Sequence, residues 1–268
     1  MSDWFQFRIA FQTFKDHWKL TIVLTVLFMV MAAMYAWMYP AFKEMMADVA
    51  ESFREGFNFV PGVEEVASYV GFLNIELYQI FWILILGILV GFIAASLMSK
   101  EIEAKTIDLF LSNPISRKQV VFEKYVGLIP MILLINFATM FVVYGITLAI
   151  DETINFGYLL MTHVVSIPYF LAVASIGLLI SVIIDEKMKA SIIMIALIMG
   201  MFIFRSISLM IPEYESLGLL SLTHYYNPAD ILLDGDVDVV GVIVLVAVLL
   251  ECLFIAMLYF DHRDIAVS

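Results

Sequence analysis

Apolar residues gather into six long runs separated by shorter polar stretches. A helix that crosses a bilayer needs about 20 mostly apolar residues. The runs at 20–39, 77–98, 125–150, 158–184, 190–211 and 239–260 meet that length. The pattern predicts an all-α integral membrane protein: a single transmembrane domain over 1–268 with six transmembrane helices. The first run is too long for a signal peptide, and no convincing small-residue cleavage site precedes Pro40.

Ahead of the first run, Trp4, Phe7, Phe11, Phe14 and Trp18 recur at spacings of three and four. Gln6, Arg8, Gln12, Thr13, Lys15 and Asp16 fill the other face. Such a helix suits the membrane interface, aromatic face inward and basic face outward. The spacing predicts an N-terminal interfacial amphipathic helix over 3–18, separate from the first span. Lys15, Asp16, His17 and Lys19 would otherwise enter the apolar core. Beyond Pro40, residues 41–57 have one apolar face (Phe42, Met45, Met46, Val49, Phe53), and Pro61-Gly62 turns the chain back. Residues 217–222 are apolar but too short to span, so 212–238 reads as a short outer helix or partial re-entrant turn.

The loop at 99–124 carries the densest pattern. Glu101, Lys105, Asp108 and Ser112 make a polar stripe at helical spacing, with Ile107, Phe110 and Leu111 beside it. Asn113-Pro114 stops this helix. Ser116 with Gln119 three residues on is a capping-box pattern, which starts a new helix running into span three. The short amphipathic helix between the turns either docks another protein or lies on lipid; pattern alone leaves both open.

Composition agrees with the spans: 63% of residues are hydrophobic and 15% charged, against nearer half and a quarter in soluble domains. Eleven of the fourteen Lys and Arg fall on one side of a six-span topology. The excess of basic loop residues marks that side as cytoplasmic and puts both termini there. The opposite loops are acidic, which reads as a solvated outer face or, alternatively, as attraction for a cationic substrate. A net charge of −12 argues against a nucleic-acid partner.

Several chemistries find no support. The chain has no G-x-x-x-x-G-K-[ST] stretch and no H-E-x-x-H pattern. Its one cysteine, Cys252, forms no internal disulfide, and its four histidines are scattered, with His163 expected as a packed polar residue. Two residues charged at neutral pH lie inside the spans, Arg205 and Glu251, and mark a possible pathway. Ladders of small residues run along span two (Gly87, Gly91, Ala95), span four (Gly177, Ser181) and span five (Ala196, Gly200). They predict close helix contacts without naming the partner helix.

From Glu101 to Lys124 the sequence resembles the signature of type-2 exporter permeases of ATP-binding-cassette (ABC) transporters. Glu101, Glu103, Thr106, Leu109, Leu111, Pro114, Ser116, Arg117 and Lys124 match that signature. Lys105 stands where that family usually has glycine, a departure at a local bend. Asn227-Pro228 with Asp234-Gly235, and the ending Tyr259-Phe260-Asp261-His262-Arg263-Asp264-Ile265, are similar to the family's stretches at those places. The resemblance implies that the 99–124 loop holds a coupling helix for a cytoplasmic ATPase subunit. Its contact residues would be Glu101, Glu103, Thr106, Leu109, Phe110, Leu111, Pro114, Ser116 and Arg117. It implies a second permease subunit, ATP and Mg bound by the ATPase partner, and no catalytic site in this chain. The multi-pass protein would sit in the cell membrane among lipid. Two other readings remain: a proton-coupled carrier using Glu251, and a scaffold or sensor that binds an ATPase without transporting.

Overall fold

The computed structural model describes residues 7–52, 68–106 and 115–263, with the side chains of 46–52 set aside. Among the described residues, six helices are long and apolar enough to cross a membrane. Their positions follow the six apolar runs. The protein is a multi-pass, all-helical membrane protein.

Helix α1 runs unbroken through Arg8–Ser52. The separate interfacial helix expected over 3–18 is therefore not set off from the first span by any break. Nothing between Arg8 and Tyr39 stops a helix, since neither glycine nor proline occurs there. Pro40 lies inside the helix and does not end it. Of the aromatic stripe, Phe7, Phe11 and Trp18 are exposed and Phe14 is half-buried, while Trp4 lies outside the described residues. The buried side of this end is instead Ile9, Ala10 and Thr13.

The second span is a continuous rod of three parts: α2 (Tyr69–Leu73), a π-helical stretch (Asn74–Leu86) and α3 (Gly87–Ala95). Its buried pairs are Leu73 and Asn74, Leu77 and Tyr78, Trp82 and Ile83, Leu86 and Gly87, Val90 and Gly91, and Ala94 and Ala95. That spacing of four to five exceeds the α-helical 3.6. The wider i→i+5 winding of a π-helix keeps such positions on one side.

The remaining helices are α4 (Ser99–Glu103), α5 (Arg117–Val126), α6 (Ile129–Ala149), α7 (Phe156–Ile183), α8 (Lys187–Met210) and α9 (Val239–His262). Helix α7 is the hub, packed against α9, α3, α6 and α8. The small-residue ladders of spans two and four face one another there. A β-carbon added at Gly177 would lie 2.8 Å from the Gly91 carbonyl oxygen and 2.9 Å from Ala94 Cβ. One turn on, Ser181 Oγ accepts from the Met98 and Ser99 N–H groups at 2.7 and 3.0 Å. By contrast, only 17% of the most apolar window of α8 and 22% of that of α9 are buried. These faces are apolar and uncovered, as a bilayer or a second chain requires.

On the side away from the termini, the 3-10 segments Pro212–Leu220 and Leu222–His224 fold back onto α8. Arg205 Nη1 donates to His224 Nδ1 at 3.1 Å. Partial burial, and then the Arg205 guanidinium, hold His224 below the usual histidine range. A π-helical turn, Asp230–Asp234, ends at Gly235, whose φ of 72° is left-handed, and leads into α9.

Candidate functional site

The two described flanks of the 99–124 loop are fixed to the bundle by polar contacts. Residues Leu109, Phe110, Leu111 and Pro114 lie outside the described residues. The others can be placed.

On the first flank, α3 ends at Ser96, whose Oγ donates to the Ile93 carbonyl at 2.8 Å. The first N–H groups of a helix have no intrahelical acceptor, and Ser181 Oγ supplies one at the start of α4. Helix α4 then closes in a Schellman motif: Thr106 N–H donates to the Glu101 carbonyl (2.9 Å) and Lys105 N–H to that of Ile102 (3.0 Å). Lys105 sits at a φ of 53°. The amphipathic helix read across 101–112 is thus interrupted at Lys105, and Glu101 and Lys105 do not share one helical stripe. The bend falls where the resembled family carries glycine. Lysine keeps it at a steric cost of roughly 1–2 kcal/mol. Lys105→Gly is expected to stabilise the protein by about 0.5–1 kcal/mol, after glycine's greater unfolded-state freedom is counted. Thermal unfolding of the detergent-solubilised variant should show a raised midpoint; a lowered one would contradict the strain at this residue.

Glu101 ties the flanks together. Its Oε1 lies 3.1 Å from Lys124 Nζ, and its Oε2 accepts from Thr106 Oγ1 at 2.5 Å. The side chains of Lys124 and Glu101 are 6% and 19% exposed, so water screens this pair poorly. Glu103 Oε2 accepts from the N–H of Lys187, the first residue of α8, at 2.8 Å.

On the second flank, Ser116 caps α5 by accepting from Gln119 N–H at 3.2 Å. The Gln119 side chain does not complete a reciprocal capping box; it donates to Glu123 Oε1 at 2.7 Å. Arg117 Nη1 donates to the Arg263 carbonyl at 2.5 Å. Arg263 in turn donates to the Val182 carbonyl at 2.5 Å and to the Asp185 carboxylate. Lys118 pairs with Asp261 at 3.0 Å. The loop flanks are therefore joined to α7, α8 and α9.

Glu123 was not singled out by the sequence pattern. It is 2% exposed, and its Oε2 accepts from the N–H groups of Ile9 (2.9 Å) and Ala10 (3.3 Å). No local spacing could reveal a partner 114 residues away.

Arg205 and Glu251 are not brought together. Arg205 engages His224, and Glu251 is exposed on α9 beside exposed Leu250 and Phe254. The buried polar centre lies elsewhere, around His163. Asn136 Nδ2 donates to Ser166 Oγ at 2.6 Å, which turns its Oδ1 to His163 Nδ1 at 2.9 Å. His163 Nδ1 therefore carries the proton, and Nε2 accepts from Tyr78 OH at 3.0 Å. Trp82 and Phe170 pack around the network, Trp82 edge-on to His163 with ring centroids 4.8 Å apart. His163 is a packed polar residue whose ring hydrogen bonds are satisfied. Among the described residues no group of three or more His, Cys, Asp or Glu side chains could hold a metal ion.

Six helices long and apolar enough to cross a membrane, among the described residues, define an integral membrane protein. A family model described as ABC-2 family transporter protein matches residues 15–265, and the chain belongs to that family. No match to a curated protein was found. The chain serves as the membrane-spanning part of a transporter.

Proposed function

We propose that this chain is the permease subunit of an ATP-driven exporter, receiving work from a separate ABC ATPase that binds ATP and Mg. The observation that carries the reading is the pair of anchored flanks. The flanks are tied to α1, α7, α8 and the end of α9 by named contacts of Glu123, Ser181, Glu103 and Arg117. A push at residues 107–114 reaches most of the bundle through those contacts. The family signature there supports an ATPase as the source of the push. The basic side, which bears the loop and both termini, faces the cytoplasm of a cell whose plasma membrane holds the protein.

The centre of the bundle is filled by Tyr78, Trp82, His163, Tyr169, Phe170 and Tyr226. A transport path therefore runs along the protein's surface, and a second permease subunit, identical or closely related, supplies its other wall. The uncovered faces of α8 and α9 suit that pairing and the surrounding lipid. The carrier reading through Glu251 is less favoured, because Glu251 does not face the bundle interior.

The test is Leu109→Asp or Phe110→Asp in a complex with a co-expressed ABC ATPase. Either variant should fold and lose at least tenfold in transport-coupled ATP hydrolysis. Unchanged coupling in a folded complex would remove the docking role. A scaffold that only binds an ATPase would show no substrate-stimulated hydrolysis in liposomes, whereas a permease would.

A further inference from the structure

We infer that Glu123 is a positioning residue that makes the N-terminal end of α1 follow helix α5, an inference that rests on the ATPase-coupled reading above. Helix α1 begins at Arg8, so Ile9 and Ala10 hold its second and third positions. Those are the N–H groups that a capping side chain serves. The residue before the helix is Phe7, which has no side-chain acceptor. Glu123, from α5, takes over that role with one carboxylate oxygen. The bond is charge-assisted and lies at the positive end of the helix dipole, which makes it stronger than a neutral cap.

Helix α5 starts immediately after the loop, and Glu123 lies six residues beyond Arg117, about 9 Å along the helix. Adjacent residues then grip different elements: Glu123 holds α1, and Lys124 holds Glu101 of α4. The next turn leaves no slack. A β-carbon at Gly127 would lie 2.7 Å from the Ala10 carbonyl oxygen and 2.7 Å from Thr13 Cβ. The junction of α5 and α6 thus rests directly on the α1 backbone. Displacement of the loop's second flank is delivered to α1 through a hydrogen-bonded carboxylate and a backbone contact.

The experiment uses the full chain in lipid nanodiscs with a co-expressed ABC ATPase. The single cysteine is removed (Cys252→Ala) and a spin label is placed at Phe11→Cys, which is 69% exposed on α1. ATP plus vanadate should shift the label's mobility in the otherwise unaltered chain. Glu123→Ala should lose at least half of that shift while still retaining the ATPase. Glu123→Gln, which keeps an acceptor, should retain most of it. A purely structural role would lower stability without erasing the nucleotide response.

A full shift in Glu123→Ala overturns the inference. So does a label that ignores nucleotide in a complex that holds the ATPase; the functional reading then survives. A chain that never retains the ATPase overturns the functional reading and this inference with it. If Glu123→Ala fails to fold, hydrogen exchange of the unaltered complex decides. Peptides covering 8–14 and 117–126 must change together on ATP plus vanadate, and a change in one without the other overturns the inference.

Discussion

Gly177→Leu is expected to abolish accumulation of folded protein. The atoms facing that position are largely backbone: the Gly91 carbonyl oxygen, and the Ala95 nitrogen 3.1 Å from where a β-carbon would stand. Backbone inside a packed helix cannot swing aside as a flexible side-chain end can. One extra methylene in a packed core typically costs about 1–3 kcal/mol, and leucine adds a whole branched side chain. Relief requires moving α3 away from α7. That movement breaks the two hydrogen bonds from Met98 and Ser99 to Ser181 and leaves two buried N–H groups without an acceptor. The control is Gly145→Leu, because nothing lies within 4 Å of a β-carbon there. Yield and monodispersity after detergent extraction should collapse for the first variant and stay normal for the second. Equal behaviour of the two would mean that the close approach of α3 and α7 does not govern folding.

The second large effect is expected at Lys124→Met. Removing one member of a buried ion pair leaves the other charge uncompensated, typically at about 3–5 kcal/mol. Glu101 keeps some access to water and its bond from Thr106, so about 2–3 kcal/mol is the expected loss here. The double variant Glu101→Gln with Lys124→Met removes both charges and should recover most of it. Thermal unfolding in detergent measures the cycle. Additive losses would show that the two side chains act independently across the loop.

The six spans were legible because the bilayer imposes a length that apolar runs must meet. The small residues at Gly91, Ala95, Gly177 and Ser181 were legible as contact sites, but their mutual pairing was not, since it depends on how the helices assemble. The charges at Lys15, Asp16 and Lys19 suggested a break before the first span. They constrain the depth of the helix in the membrane and do not interrupt its backbone, so α1 passes through them. The π-helical winding at Asn74–Leu86 escaped a reading built on a 3.6-residue period, although Tyr78, Trp82 and Leu86 recur at four. Around the candidate site, Ser116 was readable as a cap because capping is local. The departure at Lys105 was visible in sequence; its left-handed backbone became clear only in the structure. Glu123, and the role of Ser181 as an acceptor, were hidden because each satisfies backbone donors far away in the chain. Arg205 meets His224 on the segment that folds back, 19 residues further along the chain, a pairing no local spacing reveals.

Helix α1 also sets a mechanical scale. Its 45 residues make a rod about 68 Å long, more than twice a hydrocarbon core of about 30 Å. One end is held by Glu123, and near the other Lys43 meets Glu152 at 2.9 Å. A helix of that length turns a small tilt into a large displacement at its ends. A tilt of about 10° carries each tip about 6 Å, in opposite directions on the two sides of the membrane.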